Sequence, residues 1–321
     1  MPTKSRVCTQ SLVMDFLEVS QQAAIAAYPW IGKGNKMEAD GAGTEAMRDR
    51  LNLIDMHGRV VIGEGEMDEA PMLYINEILG TGTGPCVDIA VDPVEGTTLM
   101  AKGQENSLAV IAVARQGTLL HAPDMYMKKM AVGPKAKGWI NIQLSLTENM
   151  KAVAQALGKN IKDLTVMIQD RPRHEELINE VIEAGARVKL FSDVDITGAV
   201  ATAIDDIDVD LLVGIGGAPE GVIAATALKC MGGDFQAILL PHDEAEFNRC
   251  VKMGISHPEI PLKMDDIVNT NDCFFIATGI TGGMLLEGVK KRENGALMTH
   301  SLVTIGGEMK NSQYVHATFS S

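Results

Sequence analysis

The segment from Asp88 to Thr98, Asp-Ile-Ala-Val-Asp-Pro-Val-Glu-Gly-Thr-Thr, places two of its three carboxylates, Asp92 and Glu95, and two hydroxyls at the spacing a hard cation uses. Asp88 to Val91 reads as a short buried strand, and Pro93 and Gly96 then impose a tight turn. Asp92 and Glu95 should therefore leave the sheet at its rim with converging carboxylates. Oxygen ligands followed by the Thr97 and Thr98 hydroxyls suit a Mg²⁺ or Mn²⁺ site that handles phosphate. An ordinary strand-end turn has the same composition, and the segment alone leaves both readings open.

Three further segments place a carboxylate at a turn or element end: Asp40, Glu64 and Glu220. Singly they read as solvated acids. Together they form a set large enough for two or three divalent ions. Such ions would supply the nucleophilic water, spread the transition-state charge and neutralise the leaving alkoxide in phosphate-ester hydrolysis. Carboxylates this close repel one another without the ions.

Asp92-Pro93-Val94-Glu95-Gly96-Thr97 resembles the Asp-Pro-Ile/Leu-Asp-Gly-Ser/Thr signature of the metal-dependent sugar and inositol phosphatases, with glutamate for its second aspartate. Two longer stretches, Gly63-Glu64-Gly65-Glu66-Met67-Asp68-Glu69-Ala70-Pro71-Met72-Leu73-Tyr74 and Gly214-Ile215-Gly216-Gly217-Ala218-Pro219-Glu220-Gly221, narrow the resemblance to the class II, GlpX-type fructose-1,6-bisphosphatases. It runs from about Ala23 to about Gly288.

The resemblance implies an α/β fold, a layered αβαβα sandwich with two packed lobes. It also implies hydrolysis of the 1-phosphate of fructose 1,6-bisphosphate, a gluconeogenic step. It assigns metal ligation to Asp40, Glu64, Asp92, Glu95 and Glu220. Catalytic roles fall to Thr97, Asp68 and Lys36: Asp68 helps orient the attacking water, and Lys36 neutralises the reacting phosphate. Thr97 either activates the water or is itself the nucleophile, and the sequence leaves this open. Substrate contacts fall to Glu95, Gly96, Thr97, Tyr126, Arg171, Pro172, Arg173, Asp193, Val194, Asp195 and Gly217.

The residues themselves support a substrate clamp. Arg171-Pro172-Arg173 follows a strand, where guanidinium groups held by proline can take a second phosphate bidentately. The plainer reading pairs these arginines with Glu175 and Glu176. Asp193 and Asp195 can accept hydrogen bonds from sugar hydroxyls. Thr98 reads as a turn-stabilising hydroxyl, and Glu66 and Glu69 as a solvated acidic loop. Two departures from the family stand out: Asn35 replaces the aspartate of a Gly-x-Gly-Asp-Lys loop, and the chain between His242 and Cys250 is short.

Rival readings keep the fold and change the chemistry. Sedoheptulose 1,7-bisphosphate differs from the fructose substrate by one hydroxymethylene unit, worth little discrimination. An inositol or nucleotide phosphatase does not need the arginine clamp. A non-catalytic sugar-phosphate sensor rests on Asn35 alone. A dinucleotide-binding fold is disfavoured because Pro219 interrupts the glycine pattern at Gly214 to Gly221, and no Walker A sequence occurs.

A chain of 321 residues that is 46% hydrophobic holds material for one large domain of two lobes. Its net charge of −14 argues against nucleic acid or an anionic membrane as partner and leaves a small sugar bisphosphate. The five scattered cysteines form no Cys-x-x-Cys pair, and no apolar leader or membrane span is evident, pointing to a soluble cytoplasmic protein. The seven histidines show no triad order, and the methionines at 125, 127 and 130 read as core filler. A homodimer or homotetramer is expected.

These residues must be held by alternating elements. Helical spacing marks Gln10 to Ala27 and Ala42 to Met56, the latter with Asp40 near its N-cap. Strands are expected at 59–62, 108–114 and 118–121, and a boundary at Gly133 to Gly138. This gives a single phosphatase domain, 1–321, of two sub-lobes, about 1–137 for the metals and 138–321 for the substrate. The second half alternates strands at 164–168, 188–191, 211–213 and 235–240 with helices at 174–184, 196–204, 221–231 and 244–253, the rhythm of βαβ units.

Overall fold

The structure is a computed structural model and describes residues 9–63, 72–307 and 311–320. A short 3-10 turn, Thr9–Leu12, runs into helix α1 (Val13–Ala27). Helix α2 (Lys36–Leu51) leads to strands β1 (His57–Ile62), β2 (Ile78–Leu79) and β3 (Cys86–Glu95), then helix α3 (Thr97–Ala101) and strand β4 (Leu108–Arg115). There follow β5 (Tyr126–Val132), α4 (Leu146–Leu157), β6 (Thr165–Gln169), α5 (Glu175–Glu183) and β7 (Arg187–Phe191). Next come α6 (Asp195–Ala201), β8 (Leu211–Gly217), α7 (Ala218–Met231), β9 (Asp234–Leu239), α8 (Glu244–Lys252) and α9 (Met264–Ile267). The last strands are β10 (Cys273–Gly279), β11 (Lys290–Lys291), β12 (Leu297–Ile305) and β13 (Asn311–Phe319).

The chain divides into two compact α/β units. The first, Met1–Leu119 with Thr270–Ser321, holds an eight-stranded sheet in the order β11-β12-β10-β4-β3-β1-β2, with β13 added on β12. Only β1 and β3 run parallel; the other pairs are antiparallel. Helix α1 lies on this sheet with Phe16 fully buried, its ring edge-on to Phe274 at 5.3 Å. Burial of one such side chain contributes about 2 kcal/mol. The second unit, Leu120–Asn269, has the sheet order β7-β6-β8-β5-β9, parallel across β7, β6 and β8. Its core joins Val166, Ile168 and Val213 of the sheet to Met150 and Val153 of α4 and Val181 of α5.

The unit boundaries differ from the expected division at 137. Strand β5 pairs with β8 and β9, which draws residues 120–137 into the second unit, and β10 pairs with β4, which returns the chain from 270 onward to the first. Residues 118–121 form no named strand. The buried Asp88 carboxylate takes the amides of Gly117, Thr118 and Leu119 instead, at 2.6, 3.1 and 3.4 Å. Helix α2 starts earlier than expected because the Asn35 side chain caps it, accepting from Glu38 N at 3.3 Å. Asp40 therefore sits inside the helix rather than at its N-cap.

Candidate active site

In the first unit the chemistry gathers where α2, β3 and α3 meet. Strand β3 does not stop at Val91 as expected but continues to Glu95, with its register against β4 shifting between Asp92 and Glu95. Pro93 lies within that irregularity, the place where a strand tolerates a missing N–H. The Asp92 Oδ1 accepts from Val94 N at 2.9 Å, and Glu95 is 6% exposed. Gly96, at φ 78°, turns the chain in a left-handed conformation that favours glycine and sends Thr97 into α3.

Thr97 Oγ1 donates to Val94 O at 3.0 Å, and the Thr97 hydroxyl also acts on the neighbouring Asp40 carboxyl. Burial raises the Asp40 pKa from 3.8 to about 6, opposed by the Thr97 hydrogen bond and the Lys36 charge. Asp40 Oδ1 is buried with no hydrogen-bond partner among the described residues. Lys36 Nζ donates to Thr98 Oγ1 at 2.6 Å, which gives Thr98 a defined partner. One turn along α2 from Asp40, a Cβ on Gly43 would meet Val94 Cγ2 at 2.8 Å. Only a residue without a side chain lets the helix sit this close to the strand. Sequence reasoning missed Gly43; its signal was a glycine inside a helix pattern.

In the second unit Arg173 is fixed by acceptors rather than by acids. Its Nε and Nη2 donate to Ile215 O at 3.0 and 2.9 Å, and Nη2 also donates to Gln169 Oε1 at 2.8 Å. The guanidinium lies 5.0 Å over the Tyr126 ring. Arg171 Nη1 donates to Asp170 O at 3.3 Å. Neither arginine pairs with Glu175 or Glu176 among the described residues. Pro172 opens the short turn Pro172–His174, with Arg171 just before it and Arg173 within it. Behind them His174 is fully buried, its Nδ1 2.7 Å from Gln169 O and its Nε2 accepting from Ile215 N at 2.8 Å. Burial lowers its pKa, and a neutral ring protonated on Nδ1 satisfies both contacts. The histidine is a strut between β6 and β8 that steadies the arginine turn.

Lys129, on β5, is the residue sequence reasoning overlooked in this unit. Its side chain is 2% exposed, and Nζ donates to Asp195 Oδ2 at 2.6 Å and to Gly217 O at 2.8 Å. The inward alternation of Met127, Lys129 and Ala131, all buried, was the available signal. Glu220, in the first turn of α7, folds back so closely that a Cβ on Gly217 would lie 1.9 Å from its Oε2. Burial and the neighbouring Asp195 raise its pKa, with Lys129 opposing. Asp195 Oδ1 and Glu220 Oε2 are both buried without partners. Two carboxylates facing one ammonium leave these oxygens open to a cation or a hydroxyl donor.

Asp193 turns its Oδ1 back to Val194 N at 3.2 Å. Val194 has φ 72°, a left-handed conformation that is strained for a β-branched residue and is characteristic of functional loops. Glu64 and Asp68, like Glu66 and Glu69, lie outside the described residues. Among the described residues no three Asp, Glu, His or Cys side chains form a ready-made metal cluster. The buried Asp40 Oδ1 and Glu220 Oε2 are hard donors without a hydrogen-bond partner, and this donor chemistry fits Mg²⁺ or Mn²⁺.

The sequence matches the family of bacterial fructose-1,6-bisphosphatases encoded by glpX over residues 10–318. The chain belongs to this family. It is 43% identical to fructose-1,6-bisphosphatase class 2 of Haemophilus influenzae, an alignment covering 96% of each chain. It is 44% identical to fructose-1,6-bisphosphatase 1 class 2 of Escherichia coli K12, covering 96% of this chain and 95% of that one. Among solved structures it is similar to the extragenic suppressor protein suhB of Bartonella henselae, with 13% identity and a TM-score of 0.35 over 63% of this chain and 74% of that one.

Proposed function

We infer that this protein is a divalent-metal-dependent hydrolase that removes the 1-phosphate of fructose 1,6-bisphosphate, releasing fructose 6-phosphate and inorganic phosphate. The observation that carries this is membership of the glpX-encoded family along residues 10–318, with 43 and 44% identity to class 2 enzymes over 96% of the chain. A phosphate-release assay over sugar bisphosphates, with and without Mn²⁺, tests it. Fructose 1,6-bisphosphate should be the preferred substrate, ahead of sedoheptulose 1,7-bisphosphate. Absence of metal-dependent release from any member of the panel would favour a sugar-phosphate sensor instead.

Asp40, Asp92 and Glu95, with Glu64, are the ligands proposed for Mn²⁺ or Mg²⁺ in the first unit, and Glu220 is proposed as a ligand from its own buried, unpartnered carboxylate. When bound, the ions supply charge neutralisation at the phosphate and a nucleophile at neutral pH. The chain's own part is positional and protic. Thr97 donates to the Val94 carbonyl beside Asp40 and can pass a proton to or from the reacting group, while Lys36 brings a positive charge beside Thr98. Asp68 is proposed to help orient the attacking water. Arg171 and Arg173 take the second phosphate, Asp193 and Asp195 the sugar hydroxyls, and Tyr126, Val194 and Gly217 shape their surroundings.

Two expectations check this assignment. Replacing Arg171 and Arg173 by alanine should raise KM for the bisphosphate far more than for a small monophosphate ester, because the lost contact is remote from the reacting bond. Equal effects on both substrates would assign these arginines to structure. The second concerns pH. A cation must displace the proton that Asp40 takes up as pH falls through about 6, so the Mn²⁺-induced rise in Tm should shrink as pH falls from neutrality through that value. An unchanged rise across this range would separate Asp40 from the ion.

We place the enzyme in the cytoplasm, in line with the absence, among the described residues, of any helix long and apolar enough to cross a membrane. The proposed assembly is a homodimer or homotetramer.

A further inference from the structure

Strand β5 lies between β8 and β9 in the sheet of the second unit, and there Lys129 pairs with Gly214 on one side and Ala237 on the other. A lysine at such a position is uncommon, because a buried ammonium needs partners that replace water. Lys129 has two. Its Nζ donates to Asp195 Oδ2 at 2.6 Å and to Gly217 O at 2.8 Å. The glycines of β8 clear space for these side chains. A Cβ on Gly216 would stand 2.3 Å from Asp195 Oδ2 and 3.1 Å from Lys129 Nζ, and one on Gly214 would stand 3.3 Å from the His174 ring. Three separated segments thus meet at one ammonium: the middle of β5, the start of α6 and the end of β8.

We propose that Lys129 is a positioning residue for the sugar end of the site: its ammonium ties one oxygen of Asp195 to the protein and leaves the other, Oδ1, to accept a substrate hydroxyl. This rests on the assignment of Asp195 to the sugar hydroxyls made above. Asp195 Oδ1 is buried and has no hydrogen-bond partner, so the carboxylate presents one satisfied and one unsatisfied oxygen. Such an oxygen gains most from a donor that a ligand brings, because leaving it unmade carries the full desolvation cost. The start of α6 has no side-chain cap. Val194 stands at the N-cap position with φ 72°. A strained conformation of this kind persists where surrounding contacts over-determine it, and the Lys129 ion pair is one such contact. Strand β8 also serves as the ruler of the site. The Ile215 carbonyl holds Arg173 and the Gly217 carbonyl holds Lys129, so one strand end sets the spacing between the phosphate clamp and the hydroxyl acceptor.

Steady-state kinetics on fructose 1,6-bisphosphate test this with Lys129→Met, Asp195→Asn and the double variant, circular dichroism confirming that each is folded. Loss of one hydrogen bond to a charged group should raise KM about 10- to 100-fold in each single variant. The double variant should match the singles within about 3-fold, because both changes remove the same contact. A purely structural role for Lys129 would lower kcat through the active fraction and leave KM where it was. Wild-type KM in folded Lys129→Met, or KM increases that multiply in the double variant, would overturn the proposal. Wild-type KM in Asp195→Asn would instead overturn the assignment of Asp195 to the sugar, and the proposal with it. Where one single variant does not fold, the double variant, in which neither charge is buried alone, is compared with the other single. Equal KM then supports the proposal, and a further rise of about 10-fold or more overturns it.

Discussion

Glutamine in place of Glu220 should lower turnover at least about 10³-fold while raising the melting temperature of the metal-free protein. The loss corresponds to about 4 kcal/mol of transition-state stabilisation. The gain in stability has the same origin. The Glu220 carboxylate is buried beside Asp195, with Oε2 unpartnered and only Lys129 to offset the charge. A neutral amide of the same shape removes an uncompensated charge from a low-dielectric site. Mn²⁺ should then raise the melting temperature of the variant less than it raises that of the wild type. Retained Mn²⁺-dependent turnover, or a metal-free variant less stable than the wild type, would show that Glu220 is a structural acid.

Thr97→Ala should lower kcat by roughly 10² to 10⁴, the usual size of an acid–base contribution. Metal-induced stabilisation should be nearly unchanged, and Thr97→Ser should keep much of the rate. The expectation rests on the hydroxyl's setting: Thr97 Oγ1 donates to Val94 O at 3.0 Å and acts on the neighbouring Asp40, whose pKa of about 6 suits proton exchange close to neutrality. If Thr97 instead attacks phosphorus directly, its alanine variant should retain essentially no turnover, and quenched reactions of the wild type should trap a phosphothreonine. Near-normal kcat in Thr97→Ala would refute both versions.

The parts of this protein that could be read from its residues are those governed by local chemistry. Asp92 to Thr98 announced a carboxylate-bearing strand end followed by a turn, and Gly96 does make that turn. Pro93 misled the reading, since the strand carries it through a register shift supported by β4, whose partners flanking the shift, Leu108 for Glu95 and Val110 for Asp92, are distant in sequence. Asp40 was placed at a helix start because the Asn35 cap was weighed only as a lost negative charge. The strand–helix rhythm from Thr165 to Leu239 followed from apolar periodicity, whereas β5 and β10, which decide where the units divide, depend on distant pairing that no local pattern encodes. Lys129 escaped for a related reason: a lysine is expected at the surface, and only the packed sheet reveals that Asp195 and Gly217 await it.

Gly43 constrains how this protein can change over time. Glycine inside a helix costs about 0.5–1 kcal/mol relative to alanine, so ordinary drift toward better helix formers should have replaced it. That route is closed, because the first methyl group would enter the space of Val94 Cγ2 and lever α2, with Asp40 on it, away from Thr97. The centre of α2 is thereby tied to glycine for as long as Val94 stands opposite it. The carbon absent at Gly43 is room that Val94 fills, as much a part of the enzyme as the side chains around it.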